Sequence, residues 1–364
     1  MSRRANVISY IFSMVATLGT LLLVVSVCNT RYTEELLPAM VKLLVGAMLA
    51  GFINSLAHEI GHLIAGKRND FAFSEMNVWF FRWKKIKNKI RFNLVMVGEE
   101  AGYTDMVPKH ADNLPTRLKK MTLGGIIGSG LFMVIGIAPL FIPKLTMWTF
   151  CLWAMFLPIG AYFFFTAILP SSSGGVRNDG AVLYGLKRMD DVAKVTVNLL
   201  KIQAELYNGK TPSQIDESLY FDLPQLVEDD VNFAMLLNAR YVYYLDKKDY
   251  ENASKITSRL LSILDYVPNA YKMAIKVDAL YNACTFDYNE DTADDLAYEL
   301  EKFLNNVNTA TNVRAKLAYL LYVRKETEYA EVFYKKGIRE SKKYFIKGLG
   351  EFERKLFEDM KKDM

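Results

Sequence analysis

Long apolar runs crowd the first 170 residues of this 364-residue chain, and they constrain its fold more than any other feature. Val7 to Cys28 carries no charge and is long enough to cross a bilayer as a helix. Leu37 to Gly66 is a second apolar stretch, interrupted by Lys42 and by an ionisable cluster near its end. Met121 to Pro143 and Leu145 to Pro170 are two more charge-free runs. Four spans at 7–28, 37–66, 121–143 and 145–170 are therefore expected inside a membrane domain of residues 1–187. The charges gather in the remainder. That division explains how 51% of residues can be hydrophobic while mean hydropathy stays only slightly positive.

Basic residues orient the spans, because Lys and Arg accumulate on the cytoplasmic side. Ser2-Arg3-Arg4 predicts a cytoplasmic N-terminus and puts the short loop through Arg31 to Glu35 outside. Lys67-Arg68, the run Trp83 to Asn88 and Lys89, and later Arg117, Lys119 and Lys120 then fall inside. After four crossings the C-terminal half is also cytoplasmic. The expected location is a multi-pass protein of the cell membrane with the lipid bilayer as a partner.

The cluster that interrupts the second run is His58-Glu59-Ile60-Gly61-His62, which spends two of the three histidines in the chain. Residues i and i+4 share a helix face, so both imidazoles can bind one metal ion while Glu59 reaches a bound water. The alternative is a pair of packed histidines. An ionisable triplet at the edge of a span is costly unless paired or metallated, so function is the expected reason for it. Zinc takes a third protein ligand and keeps one position open. The fourth span ends on the same side as the histidines, and Ser171-Ser172-Ser173-Gly174-Gly175-Val176-Arg177-Asn178-Asp179-Gly180 follows it. Asp179 read alone is an Asp-Gly turn or a helix N-cap. The topology favours it as the third ligand.

The chain resembles the site-2 protease family of intramembrane zinc metalloproteases over residues 37 to 185. His58-Glu59-Ile60-Gly61-His62 matches the family's H-E-x-x-H helix. Ala101-Gly102-Tyr103-Thr104-Asp105-Met106 is similar to the stretch that follows that helix. Leu169-Pro170 with Asp179-Gly180 is similar to the family's Leu-Pro…Leu-Asp-Gly loop. Here that loop is longer and rich in serine and glycine, and Asn178 stands where leucine is usual, as in a diverged member. The resemblance implies Zn2+ held by His58, His62 and Asp179, and Glu59 as the catalytic general base. It also implies hydrolysis of a membrane-bound or membrane-associated peptide or protein substrate.

Between the second and third spans, Met76, Val78 and Phe80, then Ile90, Phe92, Leu94 and Met96, alternate around a basic turn and predict a β-hairpin within Phe71 to Gly98. Its edge could pair with an extended substrate, or the hairpin could lie on anionic headgroups through Trp79, Trp83 and its lysines. Gly124, Gly128 and Gly136 are expected to allow close helix contact.

From residue 188 to 364 the chain turns amphipathic, with helices expected at 190–207, 230–245, 250–264, 270–284, 292–305, 313–322 and 326 to the end. Asn238-Ala239-Arg240 through Ala253 looks like a tetratricopeptide unit, with an irregular bundle as the alternative, and a solenoid would offer a surface to a protein partner. The fold class expected is thus an all-α polytopic membrane protein with a small β-hairpin insertion and a C-terminal cytosolic helical domain.

Cys28, Cys151 and Cys284 form no metal or disulfide pattern and are expected to pack. His110, in a polar loop, fits no ligand spacing and is expected at the surface. A net charge of +5 without a basic stripe argues against nucleic acid. A non-catalytic scaffold or immunity-type membrane protein keeping the protease fold is the competing function, and the intact Glu59 argues against it. A protease whose third ligand is a glutamate on a later helix is disfavoured, because no suitable segment follows.

Overall fold

The computed structural model describes residues 3–86, 89–96, 102–267, 269–307 and 309–364. Ser2, Lys87 and Asn88 of the basic turn, Gly98 and Ala101 lie outside the described residues. The chain divides into two compact units. The first comprises Met1–Lys85, Ile90–Val107 and Asn113–Asp190, and the second Ile86–Lys89, Pro108–Asp112 and Asp191–Met364.

In the first unit, helices α1 (Arg3–Arg31) and α2 (Leu36–Arg68) lead into strands β1 (Phe71–Val78), β2 (Phe81–Ile86), β3 (Lys89–Leu94) and β4 (Gly102–Pro108). Helices α3 (Leu114–Ile135), α4 (Met147–Ala154) and α5 (Phe156–Ile168) follow. Among the described residues, four stretches are long and apolar enough to cross a membrane: Ala5–Arg31, Leu36–Arg68, Leu114–Leu140 and Met147–Ile168. They keep large apolar side chains such as Ile8, Leu22, Leu44 and Leu131 facing outward, as a surface against lipid requires.

Two span boundaries differ from the sequence reading. The third helix starts at Leu114, not near residue 121, because Pro115 suits a first turn and the basic residues after it continue the helix. Arg117 is buried there. Its guanidinium donates to the backbone oxygens of Asn69 (2.8 Å) and Asp70 (2.7 Å) and lies 5.2 Å from the centre of the Phe71 ring. A charge from the basic cluster that precedes the apolar run in sequence therefore ties the start of α3 to the end of α2. The fourth stretch is broken at Met155, since Pro158 has no N–H for the carbonyl of Ala154.

The single predicted hairpin is a four-stranded sheet in the order β3-β2-β1-β4. Trp79 adopts a left-handed backbone (φ 54°) and turns the chain between Val78 and Phe81, which pair directly. The alternation through Phe80 is thereby cut into two strands. Phe52 of α2 packs on Trp79 and Phe81, both at 5.6 Å, and so seats the sheet on that helix.

A short ladder, β5 (Ser172–Ser173) with β6 (Val176–Arg177), precedes α6 (Asp179–Arg188). Gly174 and Gly175 make its two-residue turn with positive φ at both, which suits a type I′ hairpin.

The second unit holds α7 (Asp191–Tyr207), the single-turn α8 (Ser218–Phe221), α9 (Val231–Asp246), α10 (Tyr250–Ser262), α11 (Asn269–Thr285) and α12 (Glu290–Asn306). After these come α13 (Ala310–Ala318), α14 (Thr327–Ser341) and α15 (Lys347–Lys361). The last predicted helix is thus two, and a Cβ on Gly350 would come within 2.6 Å of the Ser341 carbonyl oxygen, so the turn closes tightly. Helices pack with their sequence neighbours, α9 with α10, α11 with α12 and α13 with α14.

At the centre of this unit Arg314 is buried (1% exposed), donates to Asp278 Oδ1 at 2.7 Å and lies 3.7 Å from Glu353 Oε2. Removing one partner of such a group strands the others in an apolar core. Arg314→Leu is expected to destabilise the unit by about 3–5 kcal/mol, measured by chemical denaturation. Burial pushes the Asp278 carboxyl up to about 6, with Arg314 opposing and Glu353 adding to the rise. A carboxyl with a higher pKa folded than unfolded stabilises fully below its unfolded value of 3.8, and that contribution is lost as pH rises through 6. Asp278→Asn should flatten the pH dependence of unfolding between those values.

Candidate metal centre

Helix α2 carries the centre, and α3 fixes its side chains. A Cβ on Gly61 would lie 2.1 Å from the carbonyl oxygen of Gly124, and one on Gly124 would lie 2.3 Å from that of Gly61. The two backbones therefore touch, as the glycines in the third span lead one to expect. The next residue, Gly125, leaves room for the His62 ring, since a Cβ there would lie 2.2 Å from Nε2.

The outer nitrogen of each imidazole is engaged. His62 Nδ1 is 3.0 Å from the Met121 carbonyl oxygen, and His58 Nδ1 is 2.9 Å from Ser129 Oγ. A carbonyl only accepts, so Nδ1 of His62 carries the hydrogen and its Nε2 presents a lone pair. The two Nε2 atoms stand 3.1 Å apart with their rings nearly perpendicular, at 87°.

Asp179 completes the group. Its Oδ2 lies 3.3 Å from each Nε2, yet this buried atom has no hydrogen-bond partner. With both Nε2 atoms unprotonated, three acceptor atoms would face one another, an arrangement that a cation between them relieves. Tetrahedral ligands bonded at about 2.0–2.1 Å stand about 3.4 Å apart, close to the spacings found here. The donor set therefore fits a divalent metal ion. Among the described residues no second group of this kind occurs. His110 is half-exposed beside Asp112 at 3.5 Å, in keeping with a surface role.

The loop that carries Asp179 is anchored at both ends. Asn178, not Asp179, is the N-cap of α6, and its Oδ1 accepts from the Ala181 N–H at 2.9 Å and from the Ser171 N–H at 2.9 Å. The Asn178 amide donates to the carbonyls of Thr166 (2.5 Å) and Leu169 (2.7 Å). Asn6 of α1 bonds Ser172 in both directions (2.9 and 3.1 Å), Ser9 donates to Pro170 O (2.9 Å), and Arg177 pairs with Asp190 (2.9 Å). With the cap supplied by its neighbour, the Asp179 carboxylate is free to face the histidines.

Glu59 is buried (5% exposed) and accepts from Thr104 Oγ1 of β4 through Oε2, at 2.7 Å. Gly102 of the same strand lies beside Oε1, where a Cβ would come within 3.0 Å. Sequence reasoning brought out His58, Glu59, His62 and Asp179 but missed Asn178, Thr104, Met121 and Ser129. Only Asn178, a capping residue before Asp-Gly, left a local signal. Comparison with models of known families, with curated proteins and with solved structures finds no match.

Gly125→Ala should push the His62 ring out of the group and lower affinity for a divalent ion about 10–100-fold, read by competition with a chelator. Gly19→Ala, at a site with nothing within 4 Å, is the control expected to leave affinity unchanged.

Proposed function

We propose that this chain is an intramembrane zinc endopeptidase, a diverged relative of the site-2 proteases, acting on a membrane-bound or membrane-associated peptide or protein. One observation carries the reading: two imidazole nitrogens from a helix apolar enough to cross a membrane converge within 3.3 Å with a carboxylate oxygen from α6, and Glu59 is next in the chain to His58. Two nitrogens, one oxygen and an open fourth position are the ligands of a catalytic zinc site.

When bound, zinc supplies Lewis acidity that polarises a peptide carbonyl and brings the pKa of a water to about 7. The chain's own residues do the rest. Glu59 takes the water's proton on Oε1 and passes it to the departing amine, while Thr104 holds Oε2. Strand β4 stands at one margin of the sheet, beside Glu59, and offers backbone pairing to an extended substrate. An unwound substrate exposes the carbonyl that a helix hides. At the other margin, exposed Ile90, Phe92 and Leu94 alternate with Lys89, Arg91 and Asn93, which suits contact with the headgroup region.

In this reading the protein is multi-pass, with both termini cytoplasmic. The C-terminal unit, as a tetratricopeptide-like stack of helix pairs, binds a protein partner or restrains the protease.

The test compares wild type with Glu59→Gln and Asp179→Ala in bilayer nanodiscs, measuring bound zinc and cleavage of single-span peptides. Glu59→Gln should keep its zinc and lose cleavage by at least about 100-fold. Asp179→Ala should lose the zinc itself. Cleavage that survives Glu59→Gln would remove the peptidase reading, and an Asp179-dependent zinc site that cleaves no peptide would favour the scaffold.

A further inference from the structure

Asn54 and Ser55 are buried polar residues of α2 that the proposed reaction does not use, and Asn54 is the one with an unmet polar atom. It is wholly buried (0% exposed), and its Nδ2 donates to the Ala50 carbonyl of its own helix at 2.9 Å. Its Oδ1 is buried with no hydrogen-bond partner. An unmet carbonyl oxygen in an apolar span costs free energy, so a donor is called for.

The packing of α2 on α3 indicates where that donor is. His62 meets Met121 and Gly125, Gly61 meets Gly124, Ala57 meets Gly128 and His58 meets Ser129, so the helices run antiparallel. Asn54 lies four residues before His58, on the same stripe and one turn along toward the later residues of α3. Ser129 is also wholly buried. If Nε2 of His58 faces a metal, its Nδ1 carries the hydrogen and donates to Ser129 Oγ. The Ser129 hydroxyl must then donate elsewhere, and no described residue is seen to accept from it. A buried donor without an acceptor and a buried acceptor without a donor thus sit within about one helical turn of each other.

We propose that Asn54 is a positioning residue of the metal centre: its Oδ1 receives the Ser129 hydroxyl hydrogen through one ordered water. Ser129 is thereby held as the acceptor that fixes the His58 tautomer and ring angle. This rests on the metal-centre reading above. Hydrogen bonds behind a ligating histidine typically change metal affinity 10–100-fold, and a bond one step further out should change it less.

The experiment is a double-mutant cycle on metal affinity in the full-length protein in nanodiscs. Zn2+ is titrated against a chelator, and Co2+ absorption reports the ligand geometry. Asn54→Leu is expected to weaken binding about 3–10-fold and shift the Co2+ bands, and Ser129→Ala to weaken it about 10–100-fold. The double variant should match Ser129→Ala within about twofold, because the outer link acts only through the inner one. Asn54→Asp keeps an acceptor oxygen and, protonated in this apolar site, a donor for Ala50, so it should restore wild-type affinity. Should Asn54→Leu fail to fold, Asn54→Ser takes its place in the cycle.

Additive losses, unchanged affinity on losing Asn54, or no rescue by Asp would each overturn the relay while leaving the metal centre standing. A wild type that takes up neither ion would overturn both, and that result is visible before any variant is made.

Discussion

The direct contact of α2 with α3 is the constraint on which the rest of the first unit depends. Glycines at 61 and 124 let the backbones meet, and everything that orients the histidines then comes from α3: the Met121 carbonyl, the Ser129 hydroxyl and the space above Gly125. A side chain at Gly61 or Gly124 would meet the facing backbone and force the helices apart, and one at Gly125 would displace the His62 ring. In an apolar medium no hydrophobic force draws two such helices together, so packing and a few polar links must hold them. The same links that pack α3 also set which imidazole nitrogens face inward.

That economy explains what the sequence discloses and what it conceals. The H-E-x-x-H spacing is local, because a helix alone brings positions 58 and 62 to one face, and charge bias along the sequence pointed to Asp179, which the fold brings within 3.3 Å of both imidazoles. Partners supplied by other elements left no such trace. Thr104 is an ordinary strand threonine until β4 comes to lie beside Glu59, and Ser129 is one small residue among many in an apolar helix. Met121 contributes only its backbone, which no side-chain pattern can announce.

The misplaced elements have equally local causes. The split of the predicted hairpin turns on Trp79, a large residue in a left-handed conformation that sequence preferences speak against. Packing of Phe52 on Trp79 and Phe81 holds that turn, a contact across some 27 residues that alternation cannot reveal. The basic cluster Arg117, Lys119 and Lys120 kept the third span from starting before Met121 in sequence. In the fold the Arg117 charge meets the last carbonyls beyond α2, where a cation is favoured. Charge marks a boundary only while it remains solvated.

The order Asn178-Asp179 matters for the same reason. Asparagine and aspartate are equally good helix caps, so composition alone does not choose between them. A cap must turn its oxygen back onto the first N–H groups of its own helix, as Asn178 does toward Ala181. Had the carboxylate been first, its charge would have been satisfied by those N–H groups and withdrawn from the histidines. With the amide as cap, Asp179 begins the first turn, where the positive end of the helix favours its ionised form without occupying Oδ2. The helix end therefore favours a charged carboxylate and leaves Oδ2 open, which is the state a metal ligand requires.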